Sequence, residues 1–354
     1  KVGRLASAYT QTVRLFPKVS TEGFVYNFTI NGTPITYTVL ASATIATVCT
    51  ALELLVEAVS GIASTATATY VEAVSTAGSF FEYVTERGLD VLDMTVDAGF
   101  NADIALIVDE DDDWYGLVPP PLDTYVALAA AWTEARVKTC FPQLSGYDVL
   151  DPGTTTDTAS DLVTQAYTRT APIWHRDLGG SEYAADAFAA VVLGRDPGAA
   201  TPAFKSLAGI GVDALRAGDK TALKNKNVTR YARQGGANIT FEGKTPSGRY
   251  IDVTRNVDFI DAQVRANIFA VFLNNPVVPY TDQGISLIKG AIDSAIQTCV
   301  QMGILAAGST TVTVPKVSAT ATADRAQRIL RNVSFTGRLA GAIHRVVVRG
   351  TVSV

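Results

Sequence analysis

The sequence predicts an α/β chain, α+β overall, with a mixed α/β core, a small inserted β-rich domain and a C-terminal α/β domain that ends in an extended strand arm. Three observations predict it. From residue 101 onward, short β-type runs alternate with helical periodicities, as in a largely parallel sheet covered by helices. Before residue 99 the chain is Thr-rich and reads as a hairpin, a helix and further strands. After residue 249, a strand, two helices and a strand lead into two Val- and Arg-rich segments. The expected boundaries are 1–9 for a first core strand, 10–99 for the insertion, 100–248 for the core and 249–354 for the C-terminal domain. The arm is expected from about residue 319.

Taken in order, residues 1–7 read as a strand. Residues 24–30 and 33–40 flank Asn31-Gly32, and Asn-Gly supplies the positive φ angles of a type I′ hairpin turn. Thr44 suits an N-cap, with Ile45, Val48, Leu52, Leu55 and Val59 at helical spacing after it and Gly61 as a stop. Strands are expected at 66–74 and 80–84. In the core, Asn101 opens a helix through Ile104 and Val108. Strands at 114–118, 138–142 and 171–175 then alternate with helices at 122–136, 156–167 and 182–193, and residues 225–248 hold a hairpin with 238–241 as one strand. The last domain reads strand 249–254, helix 258–273, helix 283–303 and strand 310–317. Ile285, Ile288, Ile292, Ile296 and Cys299 form one apolar stripe on the second helix. β-rich segments follow at 328–338 and 342–354. A chain ending on a Val-rich strand presents an open hydrogen-bonding edge, which is expected to pair with a neighbour.

At 354 residues the chain can hold two or three ordinary cores. No window approaches the ~18–20 apolar residues of a membrane span, so no stable membrane insertion is expected. The chain begins at Lys1 with no methionine, and its natural start is expected further upstream. Cys49, Cys140 and Cys299 are odd in number and widely spaced, which suits reduced thiols rather than disulfides or zinc. Two histidines, His175 and His344, are too isolated to anticipate a metal centre, and no cofactor is expected.

Motifs that carry chemistry fail on their context. Glu242-Gly243-Lys244-Thr245 resembles the end of a phosphate loop, but Ile239 stands where the first glycine belongs and Pro246 follows instead of a helix. The run Asp109, Glu110, Asp111, Asp112, Asp113 lacks the alternating ligands and closing Glu of a calcium loop. There is no Gly-x-Ser-x-Gly elbow, and Gly180-Ser181-Glu182 reads as a helix cap. A His175–Asp177 pair at a strand's carboxyl end is where an α/β enzyme places chemistry, yet no partner nucleophile accompanies it.

Charge is segregated. Between residues 90 and 123 every charged side chain is acidic, and from Arg325 onward every one is arginine. Complementary fields of this kind fix register between subunits. Nucleic acid is the weaker partner for the arginines, since only Phe335 could stack on a base and the chain carries a net charge of −5. The expected interface residues are therefore Arg328, Arg331, Arg338, Arg345, Val346, Val348, Arg349, Val352 and Val354 on the arm, with Asp109 to Asp113 as the acidic counterpart.

The order Trp114-Tyr115-Gly116, Ile173-Trp174-His175, Pro197-Gly198, Leu207-Ala208-Gly209-Ile210 and Gly248-Arg249-Tyr250-Ile251-Asp252 resembles contractile-tail sheath proteins of bacteriophages. Pro279-Tyr280-Thr281-Asp282-Gln283-Gly284-Ile285 extends the resemblance toward the C-terminus. It implies a structural subunit rather than an enzyme. Such subunits stack as hexameric rings around a tail tube, with baseplate and tail terminator proteins as further partners. They assemble in the host cytoplasm and contract in the virion to drive the tube through the host envelope. The family's terminal arms add strands to neighbouring subunits. Its members normally carry a longer N-terminal part with an arm of its own. The alternatives are an α/β enzyme with a His175–Asp177 site, or a non-contractile tail or other virion structural protein.

Overall fold

The computed structural model describes residues 10–76, 81–86, 88–94, 100–176 and 182–347. They form two compact units. One comprises residues up to Leu193 together with Pro202–Ile251; the other comprises Gly194–Thr201 and the chain from Asp252. The fold class is the expected α/β mixture of helices and several small sheets.

The first unit opens with β1 (Thr12–Pro17), β2 (Val25–Ile30), β3 (Thr33–Thr38), α1 (Ile45–Glu57), β4 (Ile62–Ala66), β5 (Val71–Ser75), β6 (Tyr83–Thr85) and β7 (Leu89–Asp93). Two antiparallel sheets result, ordered β4-β5-β1-β7 and β3-β2-β6. The hairpin forms as expected: Ile30 faces Thr33 across Asn31 and Gly32, whose φ angles are 49° and 71°. Thr44 caps α1 by accepting the Thr47 N–H at 3.3 Å. Val48, Cys49, Leu52 and Val56 then meet Val13, Leu15, Phe28 and Val71 in one core.

Three expectations change here. The single strand at 66–74 is two strands, because the Thr67 hydroxyl accepts the Thr69 and Tyr70 N–H groups and reverses the chain. The strand at 80–84 is the shorter β6, Tyr83–Thr85. β1 and β7 were not expected, although Val13 and Leu15 alternate with half-buried Thr12, Arg14 and Phe16 in β1. The expected strand at 1–7 lies outside the described residues.

The unit continues through α2 (Phe100–Glu110), β8 (Gly116–Leu117), α3 (Asp123–Glu134), β9 (Thr139–Cys140), β10 (Gln143–Leu144), α4 (Thr158–Thr164), β11 (Ile173–Trp174), α5 (Ala184–Leu193), α6 (Ala217–Asn225), β12 (Thr229–Gln234) and β13 (Ala237–Phe241). β10, β11 and β12 run parallel, and β13 closes their sheet antiparallel through the expected hairpin. β8 pairs β9 in parallel, and a bridge from Cys140 to Thr170 continues the pairing. These strands are shorter than expected. Pro142 separates β9 from β10, and a proline has no N–H to give a ladder. Their side chains are deeply buried, with Phe141, Ile173 and Ala171 against α5 and Trp174 and Leu144 on a second cluster.

The second unit is built on α7 (Ile251–Asn274), α8 (Asp282–Gln301), β14 (Thr311–Thr313), α9 (Thr322–Ala326) and β15 (Ser334–Thr336). The expected strand at 249–254 is instead the start of α7. Its β-branched composition reads as strand, but Ile251 and Thr254 are buried at helical spacing and Asp252 favours the first turn. The strand at 310–317 shortens to β14 because Pro315 interrupts it. Of the segment at 328–338, only Ser334–Thr336 is strand. Residues 342–347 have no regular structure, and the rest of that expected strand lies outside the described residues.

Candidate assembly surface

α8 supplies the core of the second unit. Thr281 caps it by accepting the Gly284 N–H at 3.2 Å. Gly284 must be glycine, since a Cβ there would lie 1.9 Å from the Pro279 carbonyl oxygen. The expected stripe of Ile285, Ile288, Ile292, Ile296 and Cys299 is buried. Ile260 of α7, Ile304 and Leu305 join it, and Val312, Val333 and Leu339 pack on top. β14 and β15 pair antiparallel, Val312 facing Phe335, as a two-stranded sheet with no third strand among the described residues.

After β15 the chain returns to its own unit. Leu339 bridges Leu305, the Ala306 N–H reaches the Arg338 carbonyl at 2.8 Å, and the Ala340 N–H reaches the Ile304 carbonyl at 2.9 Å. His344 Nε2 then lies 2.7 Å from the Thr201 hydroxyl. That hydroxyl also hydrogen-bonds Asp252 in the first turn of α7. Burial raises the Asp252 carboxyl above its ordinary range, and the nearby Val253 N–H and His344 partly offset the rise. Around this clasp the apolar side chains face water: Ile343 is 84% exposed, Val346 74% and Val347 72%.

Of the expected arm residues, Arg328, Arg331, Arg338 and Arg345 are exposed. Arg331 has a partner within the unit, Asp324, at 3.0 Å. Val348, Arg349, Val352 and Val354 lie outside the described residues. The acidic counterpart sits where α2 ends and has its own local cation. The Lys138 ammonium pairs with Asp112 at 2.8 Å, donates to the Trp114 carbonyl at 2.6 Å and lies 3.9 Å from the Trp114 ring centre.

Sequence reasoning missed a second apolar surface. Phe269, Phe272 and Leu273 of α7 and Val277 after it are exposed. Beside them a groove of about 300 Å³ is lined by Ile268, Phe272, Tyr280, Ile285, Leu330 and Arg328. The available signal was the number of large apolar residues on α7, more than one buried face accommodates.

His175 is fully buried at the carboxyl end of β11. Asp177, its expected partner, lies outside the described residues. Instead Nδ1 lies 3.0 Å from Asp213 Oδ2 and Nε2 lies 2.9 Å from Glu182 Oε2. Both ring nitrogens therefore face carboxylates rather than a nucleophile. Among the described residues, no group of three or more His, Cys, Asp or Glu side chains could hold a metal, and no helix is long and apolar enough to cross a membrane.

Comparison with known proteins places these features. Residues 251–352 match a family model described as "E217 tail sheath protein gp31-like, C-terminal domain". Among solved structures, the contracted helical sheath of the anti-feeding prophage aligns with a TM-score of 0.51 at 17% identity, covering 75% of this chain and 78% of that one. The contracted PVC sheath of an extracellular contractile injection system aligns at 0.47 and 19% identity, covering 69% and 72%. The sheath tail protein Lin1278 from Listeria innocua aligns at 0.42 and 12% identity, covering 89% and 71%. No curated protein matches the sequence. The chain therefore resembles contractile-tail sheath proteins, in sequence over the α7–α8 unit and its arm and in fold over three quarters of its length.

Proposed function

We propose that this chain is the structural subunit of a contractile tail sheath of a bacteriophage or a related injection particle. It polymerises as stacked hexameric rings around a tail tube. Contraction drives the tube through the host envelope, with energy stored in packing rather than drawn from a nucleotide. The observation that carries the reading is the unfinished β14–β15 sheet on the same unit as the exposed apolar segment after His344. A two-stranded sheet is marginal alone and gains from a further strand. A neighbour's arm, residues 342–354, supplies that strand, and the module at 10–99 faces outward as an insertion. Tube, baseplate and tail terminator proteins are the other partners, and assembly takes place in the host cytoplasm.

The match at residues 251–352 supports this reading, because it covers the unit that holds both the sheet and the arm. Electron microscopy of the purified chain with tail tube protein, beside a version ending at Arg338, tests it. Rings or tubes from the intact chain that vanish on truncation support it. Identical tubes from the shortened chain, or dispersed intact subunits across a range of salt, sink it. The charge of Arg345 contributes to register, and Arg345→Glu is expected to slow assembly, most strongly at low salt.

A further inference from the structure

A histidine with a carboxylate on each ring nitrogen needs a proton on each nitrogen, because a carboxylate accepts and does not donate. His175 meets that condition with no exposure to solvent. Its two partners differ. Asp213 is almost wholly buried, accepts the Arg176 N–H at 3.3 Å and lies 3.9 Å from the Arg176 guanidinium. Glu182 is partly exposed on the wall of a cavity of about 500 Å³, which Glu86, Arg176, Trp174 and Tyr147 also line. The same Glu182 oxygen that faces His175 accepts the Gly211 N–H at 2.7 Å. One carboxylate thus joins three stretches of chain: the end of β11, the residue two before α5, and the loop at 211–213.

We infer that Asp213, His175 and Glu182 form a proton-operated latch, in which the doubly protonated ring holds Glu182 against Gly211 and loss of one ring proton releases them. The retained proton stays on Nδ1, because the Asp213 side chain, 2% exposed against 26% for Glu182, is the less solvated of the two carboxylates and gains more from keeping its donor. Nε2 then turns a lone pair toward the Glu182 carboxylate, and Glu182 swings into the cavity, where water solvates it. The titratable and charged groups facing the ring among the described residues are Asp213, Glu182 and Arg176, with Glu86 across the cavity. Burial by itself lowers the imidazole's pKa, but the hydrogen bonds and charges of Asp213 and Glu182 outweigh it and the net shift is upward. The latch is therefore closed below the ordinary histidine range, near pH 6.5. It opens as pH rises from there through the raised value. The inference is independent of the assembly reading, since every group in it lies within the first unit.

Nitrogen-15 NMR of the intact chain tests it, with only His344 as a second histidine and His344→Gln to assign the pair. At pH 6 both ring nitrogens of His175 are expected to carry protons. Exchange of the Gly211 amide, corrected for its intrinsic pH dependence, should rise by up to about tenfold per pH unit in the opening range and then level off. Glu182→Gln keeps the side-chain shape and an acceptor oxygen but removes the charge, and should lower the midpoint of the ring titration. A singly protonated ring at pH 6, or an unchanged midpoint in Glu182→Gln, overturns the latch. So does Gly211 exchange that stays flat across the range.

Discussion

At the scale of single residues, the first unit encloses an ammonium. Lys226 Nζ donates to Asp157 Oδ2 at 2.7 Å and to the Val149 and Asp151 carbonyls at 3.1 and 3.0 Å. Lys226→Met leaves Asp157 buried without its cation and should cost roughly 3–5 kcal/mol in urea unfolding. Asp148 nearby carries the opposite lesson. Burial first, and the charge of Asp157 second, push its carboxyl up to about 6. A raised carboxyl stabilises the fold when protonated, so its contribution is complete below the unfolded value near 3.9 and is lost as pH rises through about 6. Asp148→Asn should consequently gain about 1–2 kcal/mol at pH 7.5 and nothing at pH 3.5, read from paired denaturation curves. At Gly284 the question is space: Gly284→Ala drives a methyl into the Pro279 carbonyl and should destabilise the second unit by about 2 kcal/mol or more. Hydrogen exchange would show the loss in α8 while the core around Leu52 stays protected.

At the scale of elements, the clasp of Thr201, His344 and Asp252 fixes the point at which the arm leaves its unit. Thr201→Val removes the hydroxyl that both partners use. A spin label at Ile343 should then show greater mobility in the unassembled chain, with little change in global stability. Strong local codes made several elements legible from sequence alone: Asn31-Gly32 dictated the hairpin, Thr44 the start of α1, and the isoleucine spacing the buried face of α8. What escaped was decided at a distance. The start of α7 has strand-forming residues, and it is the burial of Ile251 against Phe141 and Phe188 that selects the helix. β1 lies between β5 and β7, both more than fifty residues downstream in sequence, so nothing local announces it. For the candidate assembly surface, the arginines and valines of the arm were visible as composition. The exposed Phe269 and Phe272 were not, because periodicity reveals that a helix has apolar residues but not which of them find a cover.

At the scale of the whole molecule, the described chain builds several separate cores, and each native thiol lies in a different one. Cys49 is buried among Val13, Leu52 and Val56; Cys140 among Phe100, Ile104 and Tyr125; Cys299 among Ile260, Ile292 and Leu305. Burial raises the pKa of all three, which keeps them unreactive in the native state. The protein thus carries its own set of clocks. A pulse of a thiol-specific reagent during heating or denaturant exposure marks whichever core has opened, and mass spectrometry of three peptides gives the order without any engineered probe. The same three positions are silent in the native chain, so a cysteine introduced at Ile343 or Val346 would accept a dye alone.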